Sequence, residues 1–215
     1  MSRVTRLVEV LRFYAVVQLV PPPMRLGFLV CALVGCASIV VDPTLASRAV
    51  APVLLLQLFA SASGFMIPAR RGHYDLLLTS GAGRFSIAVA HWVTSAWPGI
   101  ATCAALALAE RMVGGRVLSS SGTLAAACLA STIPWCLTVP LPRLSGGIVI
   151  VLVMVSAAAT GGEMLPGIGE LAPWMLVGEQ LPRTTALVVF SCAMASMAVA
   201  TAVILHADFP LESSQ

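Results

Sequence analysis

Long uncharged stretches alternate with short polar intervals along this chain. The uncharged stretches run over residues 26–41, 49–69, 85–109, 117–142, 144–162 and 184–205. A helix needs about 20 apolar residues to cross the hydrocarbon core of a bilayer, so the pattern predicts an all-α membrane protein with six transmembrane helices. The first stretch is short by this measure, and we expect it either to use residues 43–47 or to tilt little. An even number of spans places both termini on the same side.

Composition agrees with this class. The chain of 215 residues is 59% hydrophobic and 10% charged, with a mean hydropathy of +0.97. Soluble domains contain about 25% charged residues. We therefore expect a single transmembrane domain over residues 1–215, with a six-span core over residues 24–206 and a cytoplasmic tail over residues 207–215.

The first residues predict an amphipathic helix before the spans. Apolar positions recur at helical spacing and charged side chains lie on another side: Val4, Leu7, Val8, Leu11, Ala15 and Gln18 against Arg6, Glu9 and Arg12. Such a helix would lie along the cytoplasmic interface, with its arginines near anionic headgroups. Pro21, Pro22 and Pro23 would then break it and turn the chain into the membrane, so residues 1–23 are predicted to form an interfacial elbow helix.

The arginine distribution orients the predicted spans. Cytoplasmic loops carry an excess of positive charge. With the N-terminus inside, eight arginines are cytoplasmic and four are external: Arg3, Arg6, Arg12, Arg25, Arg70, Arg71, Arg84 and Arg143 against Arg48, Arg111, Arg116 and Arg183. This predicts a multi-pass protein of the inner (plasma) membrane with both termini in the cytoplasm. The expected partners include membrane lipids. The arginines are dispersed along the chain rather than clustered on a patch, which argues against a nucleic-acid partner.

Several chemistries lack their usual residues. The twelve basic residues are all Arg, a bias that we attribute to a GC-rich bacterial genome. Because the chain has no Lys, it can encode neither a P-loop nor a Schiff-base enzyme, and any ATPase would be a separate chain. No His-Glu-x-x-His or Gly-x-Ser-x-Gly motif is present, so we predict no catalytic residue and no metal ligand. The six cysteines are interpreted as small apolar side chains.

The most polar interval between two predicted spans covers residues 68–85, which we call the coupling segment. Pro68 is placed to end the preceding helix, and three consecutive leucines, Leu76–Leu78, follow among polar residues. On a helix Tyr74, Leu77 and Leu78 share one face. The segment would then present an apolar ridge, flanked by arginines, to a partner protein.

The coupling segment resembles the coupling helix of permeases of the type-2 ATP-binding cassette (ABC) exporter family. The residues that carry the resemblance are Arg71, Gly72, Asp75, Leu76, Leu77, Leu78, Thr79, Ser80 and Arg84. In that family the coupling helix lies between the second and third spans and occupies a groove of a separate nucleotide-binding subunit. The resemblance implies that ATP and Mg are bound by the partner subunit and that this chain needs no cofactor of its own.

A second resemblance to this family lies in residues 160–184. Gly and Pro interrupt this segment too often for a span, yet it is apolar enough to enter the outer leaflet. Pro166, Pro173, Trp174 and Pro182 stand in places similar to those of the family, which has short re-entrant helices between its fifth and sixth spans. We expect the same arrangement here.

Few polar groups fall at membrane depth, where ionisable residues are usually functional. His91 could face a path between helices or bond a backbone carbonyl of a neighbouring helix. Glu163 could close an outer gate, attract a cationic substrate or be an ordinary solvated carboxylate. With Trp174, these residues are the candidates for a substrate path or outer gate. The remaining mid-span polar residues are interpreted as packing: Gln57, Thr94, Thr102, Ser131 and Thr138.

Small residues recur at a spacing of four in two predicted spans, and this spacing favours close helix contacts. The rows are Gly27, Cys31 and Gly35 in the first span and Cys192, Ser196 and Ala200 in the last. Each row could serve packing within the chain or a seam between two chains.

The function that the resemblance implies is that of an exporter subunit. The chain would couple ATP hydrolysis by a separate nucleotide-binding subunit to the export of an amphiphilic or hydrophobic substrate, together with a second, identical or paralogous, membrane subunit. Two alternatives stay open. One is a non-transporting scaffold or regulatory subunit that docks a cytoplasmic partner. The other is an ion-coupled secondary carrier, which normally needs an acid near the midplane; no Asp or Glu lies near the centre of a predicted span.

Overall fold

The computed structural model describes residues 5, 8–13, 22–70, 83–138, 147, 150–151 and 183–206. Over this part the chain is helical apart from short connections, and the structure contains no strand there. The long helices are α1 (Pro22–Val41), α2 (Ala46–Arg70), α3 (Arg84–Met112), α4 (Ser120–Thr138) and α5 (Arg183–His206). A 3₁₀ turn at Pro43–Leu45 separates α1 from α2.

Three helical segments of the described part are long and apolar enough to cross a membrane. They are Pro22–Val41, Pro43–Ala62 and Arg84–Met112, and a shorter apolar helix covers Ser191–Val203. Large apolar side chains lie on the surface of α1, where Leu33 is 64% exposed and Val34 is 59% exposed. An apolar helix surface of this extent indicates contact with lipid rather than water. The prediction of an all-helical membrane protein is confirmed at this level.

The first span gains its length at its beginning rather than at its end. Helix α1 starts at Pro22, and prolines are tolerated in a first turn because the backbone N–H groups there have no helical partners. The expected use of residues 43–47 is wrong, because Pro43–Leu45 forms a separate 3₁₀ turn. Asp42 stabilises that turn by accepting hydrogen bonds from the backbone N–H and the hydroxyl of Thr44, at 2.9 and 2.7 Å.

Small residues of α1 allow α2 and α3 to approach closely. A Cβ atom at Gly35 would lie 2.7 Å from Cδ2 of Leu106 in α3 and 3.4 Å from Cβ of Ala49 in α2. Gly27 similarly faces Leu56 of α2. Of the two roles predicted for this row of small residues, the structure therefore assigns the glycines to packing within the chain.

The helix contacts define two ends of the bundle. Because Gly35 near the end of α1 meets Leu106 near the end of α3, the connections 42–45 and 113–119 lie at the same end, which we call the short-loop end. Helix α2 ends at Arg70 and α3 begins at Arg84 at the opposite end, which we call the Arg70–Arg84 end.

A second core cluster lies near the Arg70–Arg84 end and includes the N-terminal segment. Val10, which is 3% exposed, packs with Ile87 of α3, Trp135 of α4 and Ala200 of α5. Residues 8–13 and the last turns of α5 therefore lie beside the beginning of α3. In α5 the buried residues include Ala200 but not Cys192, which is exposed, so the predicted row of small residues is not a continuous buried stripe within the chain.

Candidate functional site

The coupling segment is described only at its borders. Arg84 is the first residue of α3 and is partly exposed. The other predicted site residues lie outside the described part of the chain: Arg71, Gly72, Asp75, Leu76, Leu77, Leu78, Glu163 and Trp174. The structure therefore brings none of these residues together with His91, and their roles stay predictions.

His91 is enclosed between α3 and α4. Its side chain is 1% exposed, and its ring stacks on Trp135 with the ring centroids 5.9 Å apart and an angle of 15° between the planes. Aromatic stacking of this kind stabilises a helix contact in addition to the burial itself. Sequence reasoning could not identify this partner, because it comes from another helix. A role of His91 on a transport path would require α3 and α4 to separate.

Gln57 forms the clearest polar connection between two helices. It is completely buried in α2, and its Nε2 donates to the hydroxyl of Ser61 at 2.8 Å and to the backbone oxygen of Ser95 in α3 at 3.0 Å. Its Oε1 accepts no hydrogen bond within the described part of the chain. An amide is uncharged and does not act as an acid or base at ordinary pH, so this group connects helices rather than transferring protons.

A glycine of α3 leaves the space that Gln57 occupies. A Cβ atom at Gly99 would lie only 2.1 Å from Oε1 of Gln57 and 2.7 Å from its Cδ. Pro98 precedes this glycine within the helix and lacks the N–H that would bond the carbonyl of Thr94. Sequence analysis placed Gln57 among packing residues and missed this contact; the adjacent Pro-Gly pair in a span was the available signal.

Several hydroxyls in the described spans bond their own helix. Thr102 donates to the carbonyl of Pro98, Ser131 and Thr132 donate to that of Cys128, and Thr138 donates to that of Pro134, at distances of 2.7 to 2.9 Å. This pattern satisfies a hydroxyl without a second helix. These residues therefore need no ligand to explain them.

Glu110 organises the loop at the short-loop end. It is 1% exposed, and its Oε1 accepts from the backbone N–H groups of Val117 at 2.5 Å and Leu118 at 2.9 Å. The loop can fold back in this way because Gly114 has a positive φ of 77° and because Gly115 has no side chain; a Cβ there would lie 2.5 Å from Cγ of Glu110. Glu110 is thus a buried structural acceptor, which its position at the end of a span did not reveal.

The site and the fold together define an all-helical membrane protein with a buried polar connection between α2 and α3. No three His, Cys, Asp or Glu side chains in the described part of the chain come close enough together to hold a metal ion. No protein-family model, curated protein or solved structure matches this chain.

Proposed function

We propose that this chain is the permease subunit of an ATP-driven exporter of the type-2 ABC class. It would work with a separate nucleotide-binding subunit, which binds ATP and Mg, and with a second membrane subunit. The cargo would be amphiphilic or hydrophobic, and both termini would be cytoplasmic, with six spans, an N-terminal elbow helix and re-entrant helices before the last span. The observation that best supports this proposal is the arrangement of the helices on either side of the coupling segment.

The coupling segment connects two packed helices that are joined to each other at mid-length. Helix α2 ends at Arg70 and α3 begins at Arg84, so the segment that resembles a coupling helix continues directly from both. Gln57 bonds Ser95 across the two helices. Because the contact leaves no room for even a methyl group at Gly99, the helices should move together when the coupling segment is displaced.

This arrangement suggests how motion would pass through the chain. Closure of two ATPase subunits would push on Leu76–Leu78 and on the flanking Arg71, Asp75 and Arg84. The pair α2–α3 would carry this displacement along the spans to the outer gate, where Glu163 and Trp174 are candidate residues. Contacts between residues 8–13, α5 and the beginning of α3 are compatible with the predicted arrangement, in which the elbow helix and both termini lie on the cytoplasmic side.

The experiment is affinity purification of the tagged protein from its native membranes in mild detergent. Co-purifying chains are identified by mass spectrometry, and the complex is assayed for ATP hydrolysis. We expect a P-loop subunit to co-purify with the wild type and to be lost from the variant Leu77→Asp with Leu78→Asp. The matched control, Met112→Asp with Val113→Asp, adds two carboxylates at exposed apolar positions of the short-loop end and should retain the ATPase.

Other results would change the proposal in defined ways. If the ATPase still binds and transport persists in the Leu77, Leu78 variant, the coupling assignment is wrong. If the Leu77, Leu78 variant loses the partner but the wild-type complex shows no transport activity, the scaffold or regulatory alternative would be favoured. Transport that survives ATP depletion but stops when the ion gradient is dissipated would favour a secondary carrier.

A further inference from the structure

A groove on the surface of the bundle runs between α3 and α4 and is polar at one end only. Its volume is about 350 Å³, and most of its lining is apolar, including Ile100, Ala104 and Leu108 of α3 and Ala127 of α4. Arg111 and Thr123 line it as well. Because Arg111 lies in the last turn of α3 and Thr123 in the first turns of α4, both polar residues are at the short-loop end of the groove.

The hydroxyl of Thr123 is unused within the part of the chain that the structure describes. Its side chain is 3% exposed, and its Oγ1 has no hydrogen-bond partner in the described part of the chain. Other buried threonines of these helices donate to a carbonyl one turn earlier, as Thr138 does to Pro134 at 2.7 Å. A buried hydroxyl without a partner is costly, so this one at the groove indicates a ligand with an oxygen acceptor.

The groove has the length and polarity of one lipid chain. From Ile100 to Arg111, at 1.5 Å per helical residue, the distance along α3 is about 16 Å, or roughly half of the 30 Å hydrocarbon core. An apolar chain in the groove would therefore extend through one leaflet. Its headgroup would lie beside the guanidinium of Arg111, whose planar donors suit phosphate oxygens.

We propose that this groove binds a phospholipid with a net negative headgroup. One acyl chain occupies the apolar part, Thr123 donates its hydroxyl to a phosphate or ester oxygen, and Arg111 balances the negative charge. The proposal requires only the groove and helices that cross a membrane, and it does not depend on the exporter function.

A second groove provides a matched comparison. It lies between α1 and α2, has a volume of about 340 Å³, and contains Arg48 and Ser38. There the hydroxyl is already used, because Ser38 donates to the backbone oxygen of Val34 at 2.9 Å. The two grooves thus each contain an arginine but differ in the unused buried hydroxyl.

The test is a titration of the full-length protein in detergent with phosphatidylglycerol, in which native mass spectrometry measures the lipid-bound fraction. Phosphatidylcholine, which carries the same phosphate without net charge, serves as the comparison lipid. We expect phosphatidylglycerol to bind more tightly. Arg111→Gln should weaken phosphatidylglycerol binding about tenfold, as expected for loss of one charge-assisted hydrogen bond. Thr123→Val should weaken it about threefold, because a neutral hydroxyl forms a weaker hydrogen bond. Arg48→Gln should leave the high-affinity binding unchanged.

A further variant tests whether a lipid chain occupies the groove. Thr123→Val preserves the side-chain shape, and Ala104→Phe fills the groove from an exposed position, so both variants should fold and the second should abolish the tight binding. Equal effects of Arg48→Gln and Arg111→Gln would overturn the site as nonspecific surface charge. Displacement of the lipid by millimolar inorganic phosphate, or full binding in the Ala104→Phe variant, would overturn the assignment of a lipid chain to the groove.

Discussion

Replacing Gly99 with Ala tests the polar connection between α2 and α3 most directly. A Cβ atom at this position would lie 2.1 Å from Oε1, 2.7 Å from Cδ and 2.9 Å from Cγ of Gln57. All three atoms belong to one side chain, so relief requires Gln57 to move. Its movement would break the bonds to Ser61 and Ser95, at 2.8 and 3.0 Å.

The expected cost follows from three contributions. Overpacking of a tight contact costs about 1–3 kcal/mol, and each lost side-chain hydrogen bond between membrane helices costs about 0.6 kcal/mol. Replacing Gly with Ala within a helix returns up to about 1 kcal/mol. We therefore expect Gly99→Ala to lower the free energy of unfolding by about 2 kcal/mol.

A double-mutant cycle with Gln57→Ala isolates the contact. When Gln57 is shortened, the new methyl group occupies the vacated space, and Gly99→Ala should then be neutral or slightly stabilising. The coupling free energy should be about 2 kcal/mol, well above the roughly 0.5 kcal/mol within which distant substitutions are additive. Gly147, which is helical and has open space at its Cβ position, provides the control: Gly147→Ala should have the same small effect in both backgrounds.

The assay is reversible unfolding of the purified protein in mixed micelles, in which helicity is followed by circular dichroism as the fraction of sodium dodecyl sulfate increases. The free energies of unfolding of the wild type, the single variants and the double variant give the coupling. Equal costs of Gly99→Ala with and without Gln57 would falsify the contact and, with it, the rigid pairing of α2 and α3.

Further predictions use the same unfolding assay. Glu110→Ala should cost about 2–4 kcal/mol, because two buried backbone N–H groups lose their acceptor, whereas Glu110→Gln, which retains an acceptor oxygen, should cost less than half as much; equal costs would exclude the role of Glu110 as the acceptor of the loop. The hydrogen bonds from Thr44 lower the pKa of Asp42 below its ordinary value of 3.8, so its stabilising contribution should be present at neutral pH and be lost as the pH falls below about 4. Asp42→Asn should lack this pH-dependent component, and an unchanged acid profile would contradict the assignment. His91→Phe should preserve the stack on Trp135 and His91→Ala should cost about 2 kcal/mol more; similar losses in both variants would show that the ring contact contributes little.

The helices could be placed from the sequence to within a few residues. The uncharged stretches 49–69 and 85–109 correspond to α2 (Ala46–Arg70) and α3 (Arg84–Met112), because the cost of burying charge in lipid removes charged residues from the interior of a span. The start of α1 at Pro22 differed from expectation, because a proline can either break a helix or begin one, and its neighbours in sequence do not decide which.

The sequence by itself determined the class of this protein: a chain so apolar and so poor in charge, with helices long enough to cross a bilayer, is a membrane protein whatever its tertiary contacts are. It also supplied the resemblance on which the proposed function rests. Only the tertiary structure decided which polar groups meet: Gln57 with Ser95, and His91 with Trp135, while the hydroxyl of Thr123 meets no partner among the described residues. The physical reason is that a helix which is apolar on every side has no sequence stripe to mark its buried face, so the neighbouring helices determine which side chains face inward and what they contact.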